Sequence, residues 1–105
     1  MGSEPTEIWA DGTKIWRNEK GQTHREDGPA VIRSNGSQYW YIHGKLHHLY
    51  GPAFVRSDGH FEWCIHDNDV TKQIQKWAKE RDIDLNNLTD EDKMIIMIEW
   101  GNYGK

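Results

Sequence analysis

Short stretches in which apolar and more polar residues alternate run through the first two thirds of the chain. Phe61, Trp63 and Ile65 alternate with smaller or more polar neighbours, and this period of two predicts a half-buried β-strand. Segments 30–33 and 53–56 are rich in β-branched and aromatic residues, which favour strands. The pattern therefore predicts several short strands in this part of the chain.

Two dipeptides mark the corners between these strands. Asn35-Gly36 and Asp58-Gly59 each follow one strand segment and precede the next. Such pairs predict two-residue hairpin turns in which both central residues take positive φ angles. We therefore expect antiparallel hairpins with their corners at these two positions.

The predicted hairpins belong to an internal repeat with a period of 23 or 24 residues. One unit covers residues 11–34, the next covers 35–57, and a third begins at residue 58 and stops near Asn68. Residues 3–10 are predicted to form a degenerate half-unit before the first. The tryptophans, glycines, histidines and prolines that match are Trp16, Trp40 and Trp63, Gly12, Gly36 and Gly59, His24 and His47, Gly28 and Gly51, and Pro29 and Pro52.

The hydrophobic period changes in the last third of the chain. Apolar residues there first follow the i, i+4, i+7, i+8 spacing of a helix, which predicts an amphipathic helix over residues 69–81. Thr89 is followed by three acidic residues, a typical N-cap with a negatively charged first turn. A second helix is therefore predicted from Thr89 to about Trp100, with Gly101 ending it.

Together these elements predict one mainly β domain over residues 1–105 with C-terminal helices, an α+β fold. Residues 8–66 would form an antiparallel meander of stacked hairpins. Residues 69–101 would form a two-helix cap over the open sheet edge of the last repeat. The apolar residues 94–98 and Trp100 are expected in the core, and the alternative for them is an exposed partner groove or a dimer face.

The composition narrows the classes of partner. The chain has 13 basic and 17 acidic residues, and a net charge of −4 makes general nucleic-acid binding a poor fit. Its single cysteine, Cys64, excludes an internal disulfide and suits a reducing, cytoplasmic setting. The sequence contains neither an apolar run of about 20 residues nor a basic-then-apolar signal pattern, so we expect no membrane span and no secretory leader.

The repeat residues are similar to a known family. A glycine corner, an aromatic strand with a tryptophan, a short glycine turn and a histidine-containing loop resemble the MORN repeat over residues 11–66. The strand segments QYWYI and FEWCI depart from it, since they lack the usual glycine before the tryptophan. The loops HREDGPA and HHLYGPA resemble the MORN-like repeats of small proteins from large tailed bacteriophages.

This resemblance implies a fold and, less directly, a role. MORN repeats are β-hairpin modules that stack into an elongated sheet, and their arrays serve as scaffolds and protein-binding surfaces, some of which contact membrane lipids. A bacteriophage setting would imply host takeover or an anti-defence role, in which the protein inhibits or sequesters a host protein in the host cytoplasm.

Three groups of residues suggest other functions. His43, His47 and His48 are close enough in sequence to suggest zinc ligands, but they recur with the repeat, which favours a structural role. Cys64 and His66 could form a nucleophile and its base, although a half-buried strand position explains Cys64 as well. The acidic residues near the second helix could mimic phosphates, but they also fit helix caps. The sequence thus predicts no catalytic residue, no metal site and no cofactor.

The predicted partner-binding site combines a sheet face with a loop. Aromatic and basic side chains on the sheet face opposite Trp40 are typical of protein-binding hot spots. The predicted contact residues are Tyr39, Tyr41, His43, Phe54 and Arg56 on the sheet and His24, Arg25 and Asp27 in the loop. Two alternatives stay open: the C-terminal helices could cover this sheet face, and the loop side chains could satisfy backbone groups in a tight turn.

Three functional hypotheses follow. The first is a non-enzymatic protein that binds one protein partner and acts by steric occlusion or sequestration. The second is a small-ligand or nucleotide-binding protein, in which aromatic rings stack a base and Arg25, Arg33 or Arg56 holds a phosphate. The third is a structural or assembly protein with edge-to-edge sheet contacts, which leaves homo-oligomers open.

Overall fold

The structure, a computed structural model, describes residues 4–102. Its ten two-residue strands are β1 (Glu7–Ile8), β2 (Lys14–Ile15), β3 (Val31–Ile32), β4 (Gln38–Tyr39), β5 (Tyr41–Ile42), β6 (Lys45–Leu46), β7 (Phe54–Val55), β8 (Phe61–Glu62), β9 (Cys64–Ile65) and β10 (Asn68–Asp69). Its two helices are α1 (Thr71–Glu80) and α2 (Asp90–Trp100).

Six of the strands form one antiparallel sheet in the order β1-β2-β3-β4-β7-β8. β4 pairs directly with β7, and the chain between them forms the hairpin β5–β6, which is a separate two-stranded sheet. The hairpin β9–β10 is a second separate sheet. The structure therefore confirms the predicted α+β class, an antiparallel meander of hairpins followed by two C-terminal helices.

The repeat is also visible in the backbone hydrogen bonds. The Trp16 N–H donates to the Ala30 carbonyl at 2.8 Å, and the Trp40 N–H donates to the Ala53 carbonyl at 2.6 Å. Each tryptophan is thus bonded to the strand that starts after the Gly-Pro pair of its own unit. Equivalent residues therefore occupy equivalent places in two successive units.

The predicted half-unit before the first repeat is confirmed for its described residues, and Ser3 lies outside them. Strand β1 pairs with β2, and the Thr6 N–H donates to the Ile15 carbonyl at 2.8 Å. The Trp9 N–H donates to the Thr13 carbonyl at 2.8 Å and closes the same kind of corner as in the later units. The sheet therefore starts one strand before the first complete repeat.

The predicted turn type at the two corners was wrong. Only the glycine of each pair takes a positive φ, +94° at Gly36 and +93° at Gly59. The Arg33 N–H donates to the Ser37 carbonyl at 2.9 Å, so the first corner is a three-residue loop whose last residue is the left-handed glycine. The Asn35 side chain accepts from the Ser37 N–H at 2.9 Å, which holds the loop in this wider form.

Two-residue turns with two positive φ angles occur at other places. His43 and Gly44, with φ of 51° and 80°, join β5 to β6. His66 and Asp67, with φ of 49° and 69°, join β9 to β10. The aspartate takes the position that glycine holds one unit earlier, and its carboxylate accepts a 2.7 Å hydrogen bond from the Leu46 N–H. Asp67 therefore adopts a left-handed backbone conformation that glycine adopts most readily, and its side chain contacts the preceding unit.

The predicted alternation around Trp63 was also wrong. Trp63, Cys64 and Ile65 are all buried, whereas Phe61 is 42% exposed. The chain passes at Trp63 from β8 in the six-stranded sheet to β9 in a separate hairpin. A period of two requires one continuous strand, so it does not extend across this change of sheet.

Both helices form near their predicted positions. The first ends in a turn where Asp82 takes a φ of +57° and the Ile83 N–H donates to the Ala78 carbonyl at 2.9 Å, a C-terminal capping arrangement. The Thr89 hydroxyl accepts from the Asp92 N–H, and the Asp92 carboxylate accepts from the Thr89 N–H, both at 3.1 Å. This capping box confirms Thr89 as the N-cap of α2.

The helices pack at the end of the repeat array. Their buried side chains and those of the third repeat form one core cluster: Trp63, Ile65, Val70, Ile74, Trp77, Ala78, Ile96 and Trp100. The Val70 N–H donates to the Trp63 carbonyl at 2.7 Å, the bond that the His47 N–H makes to Trp40 in the second repeat. The hydrogen-bond pattern of the repeat therefore continues as far as Val70, directly before α1 begins.

Candidate binding surfaces

Arg25 is held within the loop of the first repeat. Its guanidinium carbon lies 4.1 Å from the centroid of the Trp16 ring. It donates to the Asp27 carboxylate at 2.8 Å and to the Pro29 carbonyl at 3.1 Å. The hydrogen bond from Arg25 lowers the pKa of the Asp27 carboxyl group. A Cβ atom at Gly28 would lie 2.8 Å from the guanidinium carbon, so this glycine makes room for Arg25.

His48 occupies the same place in the second repeat. Its ring stacks on Trp40 with 3.8 Å between centroids and 9° between planes. Its Nδ1 lies 3.1 Å from the Pro52 carbonyl, and burial lowers the pKa of the imidazole. A Cβ atom at Gly51 would lie 2.9 Å from the ring. Two different side chains thus fill one structural position, which supports the turn-stabilising alternative for the predicted loop residues.

Histidines connect each repeat to the next one. The His43 N–H donates to Nδ1 of His24 at 2.9 Å, and the two rings lie 4.6 Å apart. One repeat later the His66 N–H donates to Nδ1 of His47 at 3.2 Å, with the rings 4.4 Å apart. The fold therefore brings the predicted site residues His24 and His43 together, although they were assigned to a loop and to a sheet face.

The other predicted sheet residues fall into three places. Tyr39 and Phe54 are cross-strand partners in β4 and β7, and their rings stack with centroids 4.9 Å apart. Tyr41 lies in the separate hairpin β5–β6, where burial raises the pKa of its phenol. Arg56 is exposed at a corner and pairs with Asp58 at 2.8 Å. Only Tyr39 and Phe54 therefore meet as an aromatic surface.

The strand register divides the six-stranded sheet into two faces. The inner face carries Glu7, Ile15, Val31, Tyr39, Phe54 and Glu62, none of which is exposed. The outer face carries Ile8, Lys14, Ile32, Gln38, Val55 and Phe61, four of which are exposed. The predicted aromatic pair lies on the inner face, so the more accessible apolar side chains belong to the other face.

The outer-face residues Ile8 and Phe61 were not predicted as binding residues. Ile8 is 63% exposed and Phe61 is 42% exposed. The core cluster that contains the helices includes Trp63 and Ile65 but, among the described residues, neither Tyr39 nor Phe54. The helices therefore pack against the third repeat and not against this aromatic pair. The exposure of Phe61 follows from the register of β8 in the six-stranded sheet, which the sequence alone did not give.

The second helix presents a third apolar surface. Ile96 and Trp100 are buried as predicted, but Met94, Met97 and Ile98 are 61%, 53% and 74% exposed. The prediction of a core position was thus wrong for these three residues. A helix with apolar residues on every side must expose some of them when its neighbours cover one side only, and that signal was present in the run 94–98.

Groups suited to chemistry are buried or dispersed. Cys64 is buried, and burial raises the pKa of its thiol to about 11, so the reactive thiolate is disfavoured at neutral pH. Within residues 4–102, no group of three or more His, Cys, Asp or Glu side chains is arranged to hold a metal ion. The Cys64 thiol is therefore poorly placed to act as the nucleophile that the sequence left as an alternative.

The cleft beside the first repeat is large, but its arginines are already paired with carboxylates. It has a volume of about 500 Å³, and its lining includes Trp16, Arg17, Arg25 and Asp27. Arg25 pairs with Asp27 at 2.8 Å, and Arg17 pairs with Glu7 at 2.5 Å. A phosphate entering this cleft would compete with two carboxylates that already hold the arginines.

Comparisons with protein-family models, curated proteins and solved structures gave no match to this chain. In the part of the chain that the structure describes, neither helix is long and apolar enough to cross a membrane.

Proposed function

We propose that this chain is a non-enzymatic protein-binding module that acts by occluding or sequestering one protein partner. The observation that carries the proposal is the number of large apolar side chains that this small fold leaves exposed. The exposed large hydrophobic side chains among residues 4–102 are Ile8, Trp9, Tyr50, Phe61, Met94, Met97 and Ile98. Three of them lie together on one side of α2, and apolar side chains that are grouped at a protein surface are typical of contact sites.

The repeat architecture supports the same proposal. Stacked hairpins create an extended sheet whose outer face is accessible, and such arrays serve as binding scaffolds. The similarity of the loops to MORN-like repeats of bacteriophages extends the proposal to a bacterial host protein, such as a component of host defence. The protein would then act in the host cytoplasm by stoichiometric inhibition, without turnover.

A nucleotide-binding role has weaker support. Trp16 and Trp63 are buried, so neither indole offers an open face for a base. Arg25 is only 15% exposed at its side chain and pairs with Asp27. A thermal shift on addition of nucleotides, together with failure to retain any protein, would favour this function over the proposed one.

The direct test is capture of partners from a bacterial lysate with the tagged full chain. We expect retention of one protein in stoichiometric amounts. A sheet variant, Ile8→Ser with Phe61→Ser, and a helix variant, Met94→Gln with Ile98→Gln, remove exposed apolar side chains from the two surfaces. At least one of them should lose the partner, whereas the exposed Lys20→Ser control should retain it.

Two results would contradict the proposed function. One is a lysate in which no protein is retained at stoichiometric amounts. The other is retention that both variants leave unchanged, because the apolar surfaces would then play no part. Concentration-dependent sedimentation of the purified chain, without a partner, would favour the edge-to-edge assembly hypothesis instead.

A further inference from the structure

Three residues of α2 form an exposed apolar strip, which we term the helix patch: Met94, Met97 and Ile98. Their i, i+3 and i+4 spacing places them on one side of the helix, and each is more than half exposed. Ile96 and Trp100 are buried on the opposite side against the third repeat and α1. The helix patch is therefore not needed to attach α2 to the rest of the protein.

Acidic groups accompany the helix patch along the helix. Asp90 and Glu91 lie in the first turn of α2, four and three residues before Met94 and on the same side of the helix. Within residues 4–102 neither carboxylate forms an ion pair with a basic side chain. From Asp82 to Glu99 the chain has six acidic residues and one lysine.

The basic groups near the helix patch are directed elsewhere. The Lys93 ammonium lies 5.9 Å from the centroid of the Tyr50 ring. Arg81 lies over the Trp77 ring at 4.9 Å and also approaches Glu99 at 3.5 Å. The apolar strip is therefore bordered by free carboxylates, and its surroundings favour a positively charged partner.

We propose that the helix patch binds an amphipathic helix of a partner protein, with an apolar stripe flanked by lysines and arginines. The inference rests on the proposed protein-binding function and specifies the surface and the partner chemistry. A narrow ridge of side chains on one helix packs into the grooves of a second helix. Methionine side chains adapt to different apolar shapes, and the acidic end of the patch pairs with the basic flank.

The charge distribution also argues against a second copy of this chain as the occupant. A second α2 would bring the same acidic first turn and a single lysine to the contact. Like charges across an interface oppose association, whereas a basic helix neutralises them. A heterologous basic helix is thus the favoured occupant.

The test uses a labelled synthetic peptide of about 18 residues, long enough for a marginally stable helix. The peptide has leucines on one side and lysines and arginines on the flanks, and its affinity for the full chain is measured by fluorescence anisotropy. The Met94→Gln/Ile98→Gln variant should weaken binding by about tenfold or more, because it removes the exposed apolar contacts. Gln73→Ala, at an exposed and neutral position on α1 outside both apolar surfaces, is the control and should leave the affinity unchanged.

Charge is tested separately. Glu91→Gln should weaken binding and reduce its dependence on salt, since it removes one carboxylate from the border of the patch. A peptide with the same leucines but with glutamates in place of the basic residues should bind at least about tenfold more weakly. Circular dichroism of every variant checks that α2 is still folded.

Several outcomes would overturn this inference. They are absence of peptide binding to the unmodified chain, equal loss of affinity in Gln73→Ala, and equal affinity for the acidic peptide. A concentration-dependent dimer that Met94→Gln/Ile98→Gln abolishes would assign the patch to a second copy. Capture of a lysate protein that only the sheet variant loses would overturn the inference while the proposed function stands.

Discussion

At the scale of single residues, the side chain that covers each tryptophan decides how a repeat responds to pH. The guanidinium of Arg25 covers Trp16, whereas Trp40 is covered by the imidazole of His48, a group that can gain a proton near neutral pH. Burial lowers the pKa of His48, so the folded state binds a proton less readily than the unfolded chain. His48 therefore contributes stability that is complete above about pH 6.5 and decreases as the pH falls below that value.

The pH dependence can be tested by building the first loop into the second repeat. The double variant His48→Arg/Tyr50→Asp introduces the Arg25–Asp27 pair at the equivalent positions. We expect a smaller loss of unfolding free energy between about pH 7.5 and 5.5 than in the parent chain, measured by urea denaturation. Tyr50→Asn alone keeps the imidazole without adding a charge beside it and should retain the full loss. An unchanged pH dependence in the double variant would contradict the role given to His48.

At the scale of elements, the junction between the last strand and the first helix supplies a hydrogen-bond acceptor that the incomplete third repeat lacks. In the complete repeats the tryptophan N–H donates to an alanine carbonyl of the same unit. The third repeat has no such strand, and the Trp63 N–H donates instead to the Thr71 hydroxyl at 2.8 Å. A side chain at the start of α1 thus satisfies a buried backbone group that the repeat would otherwise leave without an acceptor.

We expect a nearly isosteric substitution at Thr71 to lower the free energy of unfolding. Thr71→Val keeps the volume but removes the acceptor of the Trp63 N–H, so the free energy of unfolding should fall by about 1–3 kcal/mol. Thr71→Ser keeps the hydroxyl and is the matched control, with a much smaller expected loss. Equal losses in the two variants by urea denaturation would show that packing of the methyl group, and not the hydrogen bond, matters at this position.

At the scale of the whole molecule, the core is concentrated at one end. The cluster around Trp63, Ile74 and Trp100 joins the helices to the third repeat. At the other end, β1 is an edge strand with an exposed Ile8. An array of repeats that contact only their neighbours is stabilised locally, so the two ends need not open together.

Hydrogen exchange can measure this difference between the ends. The Thr6 N–H bonds to the Ile15 carbonyl and the Ile74 N–H bonds to the Val70 carbonyl, both at 2.8 Å. Because the bonds are alike, a difference in exchange reports local opening. We expect the Thr6 amide to exchange at least about a hundredfold faster than the Ile74 amide. Similar protection at both sites would indicate that the array unfolds as one cooperative unit.

The sequence by itself determined the features that depend on near neighbours along the chain. The repeat register, the corners at Gly36 and Gly59 and the N-cap at Thr89 were all readable, because hairpin corners and helix caps involve residues two to four positions apart. Even there the turn type needed the structure, since a side-chain acceptor at Asn35 widened the loop.

Only the tertiary structure decided which side chains are covered. It placed the two-residue turn at residues 43–44, ended the alternation at Trp63, separated Tyr41 from Tyr39, and left Met94 and Ile98 exposed. Burial depends on which elements pack together across long sequence separations, and a pattern of apolar residues does not specify that choice when a helix is apolar on all sides.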